Sequence, residues 1–217
     1  MAKLYFHYAT MGAGKSALLL QTEYNYRERG MRCLLLTAQV DTRAGMAKIS
    51  SRLGLEAAAD TFSPDDDLMD TFLRQAAGEG VAAVLVDEAQ FLTPAQVWQL
   101  AEGVDLLGLP VLCYGLRTDF RGELFAGSRT LLATADELRE MRTICHCGSK
   151  ATHVMRKAPD GTPVFEGDQV QIGGNESYVA LCRKHWRAAW LEARRSARRG
   201  RIPDSHQETG AETSATE

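Results

Sequence analysis

With 217 residues, 45% of them hydrophobic and 24% charged, the chain has an ordinary globular composition, long enough for one sizeable core and a small appendage. Its formal net charge of -3 argues against a general coat for nucleic acid. No apolar run approaches the roughly 20 residues that span a bilayer, and the N-terminus lacks the charged-then-apolar layout of a signal peptide, so no membrane partner and a cytoplasmic location are expected.

The first predicted element is an apolar strand, Lys3 to Tyr8. The run Ala9, Thr10, Met11, Gly12, Ala13, Gly14, Lys15, Ser16 follows, and a helical pattern extends from Lys15 to Arg29. That order is the context of a phosphate-binding loop. Small residues let backbone N–H groups turn inward around phosphate oxygens, Lys15 supplies a cation for the β- and γ-phosphates of ATP, and the Ser16 hydroxyl can join a Mg²⁺ shell. The helix aims its positive dipole end at the same anion. Ala9 stands where the first glycine of the motif is usual, a change that a backbone with negative φ accommodates. Gly30 stops the helix and Arg32 to Thr37 returns as a strand, giving a βαβ unit.

Ala38 to Ser63 is polar, contains glycine and carries no assignable period. Ser63 then reads as the cap of a helix with acids in its first turn, running to about Ala77. Val81 to Val86 is a continuous apolar, β-branched run suited to a central parallel strand covered on both faces. It leads into Asp87 and Glu88, the position from which an acid reaches Mg²⁺ across a sheet. Asp87 is the metal-side carboxylate, and Glu88, on the other side of the extended backbone, is free to polarise an attacking hydroxyl or water. The plainer alternative is that both acids cap the next helix or sit in solvent.

Thr93 caps that helix, with Pro94 at its first position and Val97, Leu100, Val104 and Leu107 at helical spacing. Pro110 to Leu116 is another buried strand, and Arg117 to Phe125 is a charged loop holding Phe120 and Phe125. Leu131 to Leu138 is a strand or a short helix. Residues 1–142 therefore read as an α/β domain, a P-loop doubly wound parallel sheet with ligands beyond the carboxyl ends of its strands. A cradle, a metal site and a group to orient the nucleophile suit phosphoryl transfer and leave the acceptor open.

From Thr143 the texture changes to close-set Cys, Gly and short β-like pieces. Cys145, Cys147, Cys182 and His185 can supply three sulfur ligands and one nitrogen ligand to tetrahedral Zn²⁺, with His146 as a competitor and incidental thiols as the alternative. With no open position, such a zinc is structural, pinning a minidomain over 143–200 that is too small for its own core. Cys33 and Cys113, inside apolar runs, read as small buried hydrophobes. Between the ligand pairs, Gly173 and Gly174 let backbone amides approach a flat ligand and Tyr178 could cover it, although a hairpin turn would look the same. The basic stretch from Arg183 to Arg201 reads as the solvated face of a helix, and the polar tail over 201–217 is expected to be disordered.

Four segments carry a resemblance: Met11 to Ser16, Val86 to Phe91, Cys113 to Glu123, and Ile172 to Tyr178 leading into Cys182 to His185. Together they resemble the thymidine kinase family of the cellular, zinc-containing type, specifically its bacterial members. The resemblance implies transfer of the γ-phosphoryl of ATP to the 5′-hydroxyl of thymidine or deoxyuridine in nucleotide salvage. It implies that residues 9 to 16 hold ATP together with Asp87, Glu88, Ala89 and Gln90, and that Glu88 is the catalytic base. On the same footing, Val170, Gln171, Ile172, Gly173, Gly174 and Tyr178 form the nucleoside-contacting stretch of a zinc-held lasso loop. Phe120 packs against the base, Met11, Leu116 and Phe125 help line the pocket, and Arg43 faces phosphate. A homotetramer inhibited by thymidine triphosphate is implied as well. Ala9, the C-x-C spacing and His185 in place of a fourth Cys depart from the broader family pattern.

The rival reading is an ATPase acting on nucleic acid, since Asp87 to Gln90 resembles a motor box and a zinc module with a basic helix could grip a strand. A single candidate motor domain and the net acidic charge weigh against it, and no nucleic-acid partner is expected. A zinc-pinned ATP sensor without catalysis would leave Glu88 unused.

Overall fold

The computed structural model describes residues 1–39, 48–169 and 177–199, with side chains to Arg195. Its strands and helices in chain order are β1 (Leu4–Ala9), α1 (Lys15–Arg27), β2 (Cys33–Ala38), β3 (Lys48–Ser50), β4 (Glu56–Ala58), β5 (Asp60–Phe62), α2 (Arg74–Gly78), β6 (Ala83–Asp87), α3 (Pro94–Leu107), β7 (Val111–Leu116), α4 (Ala126–Thr134), β8 (Glu137–Glu140), β9 (His153–Lys157), β10 (Pro163–Val164), β11 (Tyr178–Leu181) and α5 (Arg183–Arg199).

Six strands form one sheet in the order β5-β2-β6-β7-β1-β8, and every pairing in it is parallel. Parallel neighbours need a crossover that returns the chain to the same edge, which is why helices cover both faces. Strand β6 is buried at each of its positions, as its unbroken apolar run requires. Val84 and Val86 join Phe6, Leu73, Val97, Leu100 and Leu131 on one face, whereas Leu85 joins Leu19, Leu20 and Tyr114 on the other. That alternation is the two-residue period of a strand buried on both sides, and each large aliphatic side chain so buried contributes about 1.5–3 kcal/mol. The expected doubly wound α/β sheet is therefore present.

Helix α3 begins as its sequence dictates. Gln96 N–H donates to Thr93 Oγ1 at 3.2 Å while Thr93 N–H donates to Gln96 Oε1 at 3.0 Å, a reciprocal capping box with Pro94 just inside it. The helix preceding β6 starts later than expected. Ser63 N–H donates to Asp66 Oδ2 at 2.6 Å in a local turn, and it is Asp67 Oδ1 that accepts from Asp70 N–H at 3.1 Å. The first turn, Met69–Leu73, is wound as a π-helix before α2 continues. From residue 48 on, the segment without a period forms the β3–β4 hairpin and β5, which pairs with β2 at the sheet edge. Leu131 to Leu138 divides into the end of α4 and the start of β8.

A second, three-stranded antiparallel sheet has the order β10-β9-β11. It packs beside α5 around Cys145, Ala151, Leu181 and Trp186. Cys113 is fully buried, as expected, and burial pushes its thiol up; Cys33 is only half-buried, with its thiol raised to about 11, mainly by burial.

Candidate active site

The chain leaves β1 at Ala9 and turns through Gly12 (φ 75°) and Gly14 (φ 79°) into α1. Both glycines sit in the left-handed region where a Cβ is disfavoured. Ala9 ends a strand and has no such demand, so the methyl in place of the usual glycine is accommodated. Lys15 opens α1, is 9% exposed and donates from Nζ to Thr10 O at 3.2 Å. Burial pulls its ammonium below the ordinary value, and Glu88 and Asp87 pull it back. A buried cation above a helix N-terminus with no acid in its first turn is short of negative charge, which a phosphate would supply.

Asp87 is the last residue of β6 and is 4% exposed. Burial first, and then the Glu88 charge, raises its pKa to about 6, with a hydrogen bond from Ser16 opposing the shift. Ser16 and Asp87, brought together from two strand ends, are hard oxygen donors suited to Mg²⁺. Glu88 is not extended, contrary to the strand-continuation reading. Its φ of 51° and ψ of 36° place it in the left-handed region, the single non-glycine there among the described residues, at a cost of about 1–3 kcal/mol.

Contacts that over-determine the turn hold Glu88 there. Gln90 Nε2 donates to Glu88 Oε2, and Gln90 Oε1 accepts from Leu116 N–H at 2.9 Å at the end of β7. Only glycine lets these pieces meet: a Cβ at Gly115 would lie 3.0 Å from Gln90 Oε1, and one at Gly127 would lie 2.6 to 2.9 Å from the carbonyl oxygens of Leu92, Ala89 and Gln90. Ala89 and Gln90, expected beside the nucleotide together with Asp87 and Glu88, follow Glu88 in a short 3-10 turn. Ala89 is fully buried in the core, and the Gln90 amide, 2% exposed, is committed to Glu88 and β7. Gln90 positions the site from behind.

Gly12, Lys15, Ser16, Glu88 and Leu116 line one cleft of ≈ 450 Å³, with Met11 at its edge. Part of the lining was not read from sequence: Ser50 at the end of β3 and Ser51 to Leu53 in the turn after it, which brings Arg52 opposite Gly12. Its position depends on a hairpin in the segment whose pattern gave no period.

Phe120 lies in the loop after β7 at 2% exposure, with the Arg156 guanidinium 4.0 Å from its ring centroid. Asp119 shapes that loop by accepting from the N–H groups of Arg121 and Glu123, both at 2.9 Å, and from Gln169 Nε2 at 3.0 Å. Phe125 packs edge-on against Phe91 at 5.8 Å. Tyr178 opens β11 opposite Arg156 of β9. Arg43, Val170, Gln171, Ile172, Gly173 and Gly174 lie outside the described residues.

The ligand atoms of Cys145, Cys147, Cys182 and His185 all lie within 4.8 Å of one another. Cys182 Sγ is 3.9 Å from Cys147 Sγ and 3.3 Å from His185 Nδ1, and Cys145 Sγ is 3.4 Å from that same nitrogen. A tetrahedral zinc with ordinary bond lengths separates its ligands by about 3.5–3.8 Å, so the set could hold such an ion. Gly148, at φ 79°, turns the first pair, and the step from β11 into α5 turns the second. Hydrogen bonds from Ser149 lower the Cys147 thiol to about 6, ready to act as a thiolate. His146 stands 3.7 Å from Cys145 Sγ but is not one of the four.

A family model described as thymidine kinase matches residues 2–186. The chain is 63% identical over 190 residues to a protein named thymidine kinase from Ruegeria pomeroyi, covering 87% of this chain and 96% of that one. It is 61% identical over 189 residues to the thymidine kinase of a Jannaschia species, with 87% and 97% covered. The thymidine kinase of Rhizobium etli is 57% identical over 197 residues, with 88% and 98% covered.

Proposed function

Since the chain belongs to the thymidine kinase family and is thus a phosphotransferase, we propose that it transfers the γ-phosphoryl of ATP to the 5′-hydroxyl of thymidine, and also of deoxyuridine, in pyrimidine deoxynucleotide salvage. The observation that carries this reading is the Glu88 carboxylate pinned into the same cleft as Lys15 and Ser16. Residues 9 to 16 cradle the triphosphate through backbone N–H groups, and Lys15 balances its charge. Ser16 and Asp87 would hold Mg²⁺, which would supply neutralisation of charge on the transferring group. Glu88 accepts the proton of the 5′-hydroxyl as that oxygen attacks, which requires its free oxygen to face the acceptor rather than Gln90.

Phe120, Tyr178 and the stretch from Val170 to Gly174 receive the base on this reading, with Arg43 toward phosphate. A structural zinc on Cys145, Cys147, Cys182 and His185 supplies a fixed crosslink between the two ends of that region. The chain then divides into a kinase domain over 1–142, a zinc minidomain over 143–200 and a polar tail over 201–217, in a cytoplasmic homotetramer. No helix among the described residues is long and apolar enough to cross a membrane.

The test is a product assay for 5′-monophosphate across the four deoxynucleosides, with single-stranded DNA as a further arm. Thymidine monophosphate as the main product is the expected result. ATP turnover stimulated by DNA alone, without nucleoside phosphorylation, would replace the kinase with a nucleic-acid ATPase.

A further inference from the structure

Arg156 occupies the middle strand of the small sheet, with Val164 of β10 beside it on one side and Tyr178 of β11 on the other. Its side chain belongs to a residue 7% exposed. A guanidinium buried this far needs its donors satisfied. Here the acceptors are backbone carbonyls: Nη1 donates to Asp168 O at 3.1 Å and Nη2 to Glu166 O. The flat face of the same group lies over the Phe120 ring, 4.0 Å from its centroid. Gly167 completes the fit, because a Cβ there would stand 2.9 Å from Nη2 and its φ of 102° already disfavours a side chain.

Two more contacts hold the loop after β7, one to the residue next to 166–168 and one to Trp186 of α5, whose Nε1 also donates to Val154 O at 3.0 Å. Trp186 Nε1 donates to Phe120 O at 3.2 Å, and Gln169 Nε2 donates to Asp119 Oδ2 at 3.0 Å. One planar cation thus joins an aromatic ring from the loop after β7 to the backbone of 166–168, two segments more than forty residues apart in sequence.

We propose that Arg156 is the positioning residue of the nucleoside half of the site, holding the Phe120 ring and the 166–168 backbone as one unit so that acceptor binding, and not donor binding, depends on it. The proposal rests on the reading of Phe120 as the residue that packs against the base. Lysine cannot take over: it keeps the charge but loses the plane and the fork, so it cannot stack and bond two carbonyls together.

The experiment uses the full chain with the substitutions R156K, G167A and F120L and the double variant R156K/F120L, measuring KM for thymidine, KM for ATP and kcat, with bound zinc and thermal midpoint as controls of folding. R156K is expected to raise KM for thymidine roughly tenfold while KM for ATP and kcat stay within about twofold. G167A, which disturbs the guanidinium from the opposite side with the charge intact, should move the same constant. The double variant should be little worse than the more impaired single one, because Arg156 acts through Phe120. An unmoved thymidine KM in both R156K and G167A, an equal rise for ATP, or additive effects of R156K and F120L would overturn the proposal; if R156K does not fold, G167A decides by the same criterion. Thymidine turnover with these constants unmoved removes the positioning role alone, whereas an unsubstituted chain that phosphorylates no thymidine removes the functional reading and this proposal together.

Discussion

The phosphate-loop cleft and the cysteine-histidine corner are built in opposite ways. The cleft is assembled from short stretches at the carboxyl ends of parallel strands, so its key groups, Gly12, Gly14, Lys15 and Glu88, sit where strand ends must place them. The corner has no large core. Its shape comes from four converging ligands and from single side chains such as Arg156, Asp119 and Trp186 that reach across tens of residues. A site on the sheet inherits the rigidity of the sheet, while the corner rests on a few polar ties and on four side chains that could hold a metal crosslink.

That contrast is sharpest when the ligand cluster is broken. Chelation of bound zinc, or Cys182→Ser, is expected to lower thymidine phosphorylation at least about tenfold, while binding of a non-hydrolysable ATP analogue, followed by calorimetry, changes little. Equal loss of both would erase the distinction between the halves. Within the cleft, Gly127→Ala forces a methyl onto three carbonyl oxygens under the Glu88 turn. It should cost about 3 kcal/mol in denaturant unfolding and lower kcat more than either KM.

Asp87→Asn probes the charge buried at the end of β6. A carboxyl whose pKa rises from 3.8 to about 6 on folding imposes almost no penalty below about pH 3, where it is protonated in both states. The penalty grows as pH passes through the two values and levels off above about pH 7. The variant should therefore gain on the order of 3 kcal/mol of stability at pH 8, gain almost nothing at about pH 3, and lose Mg²⁺-dependent turnover. A gain independent of pH would mean that burial of the charged form is not what strains this residue. Smallest is Thr93→Ala, which removes the capping-box hydroxyl and should lower stability by about 1 kcal/mol without changing any kinetic constant.

What could be read from the sequence follows the same division. The phosphate loop, the Thr93 cap and the β6 strand were legible because each is dictated by neighbours within a few residues. The three Cys and one His that could hold a metal ion were legible from spacing. Glu88 was placed correctly at a strand end but not in its left-handed turn, because that conformation is imposed by Gln90 and by the close approach of Gly115 and Gly127. That the same turn buries the Ala89 side chain in the core was likewise not legible, because it follows from the Glu88 conformation. Strand β5 has little β pattern of its own and exists by pairing with β2. Arg156 and Gln169 had no local signature at all, since their partners in the loop after β7 are set by the fold.

The central claim is that Glu88 takes the proton from the acceptor hydroxyl, and Glu88→Gln tests it most directly. The account predicts that turnover at saturating ATP and thymidine falls by about 10²-fold or more, while both substrates still bind with near-unchanged affinity and the folded structure persists. Turnover close to that of the unsubstituted chain, with binding intact, would contradict it.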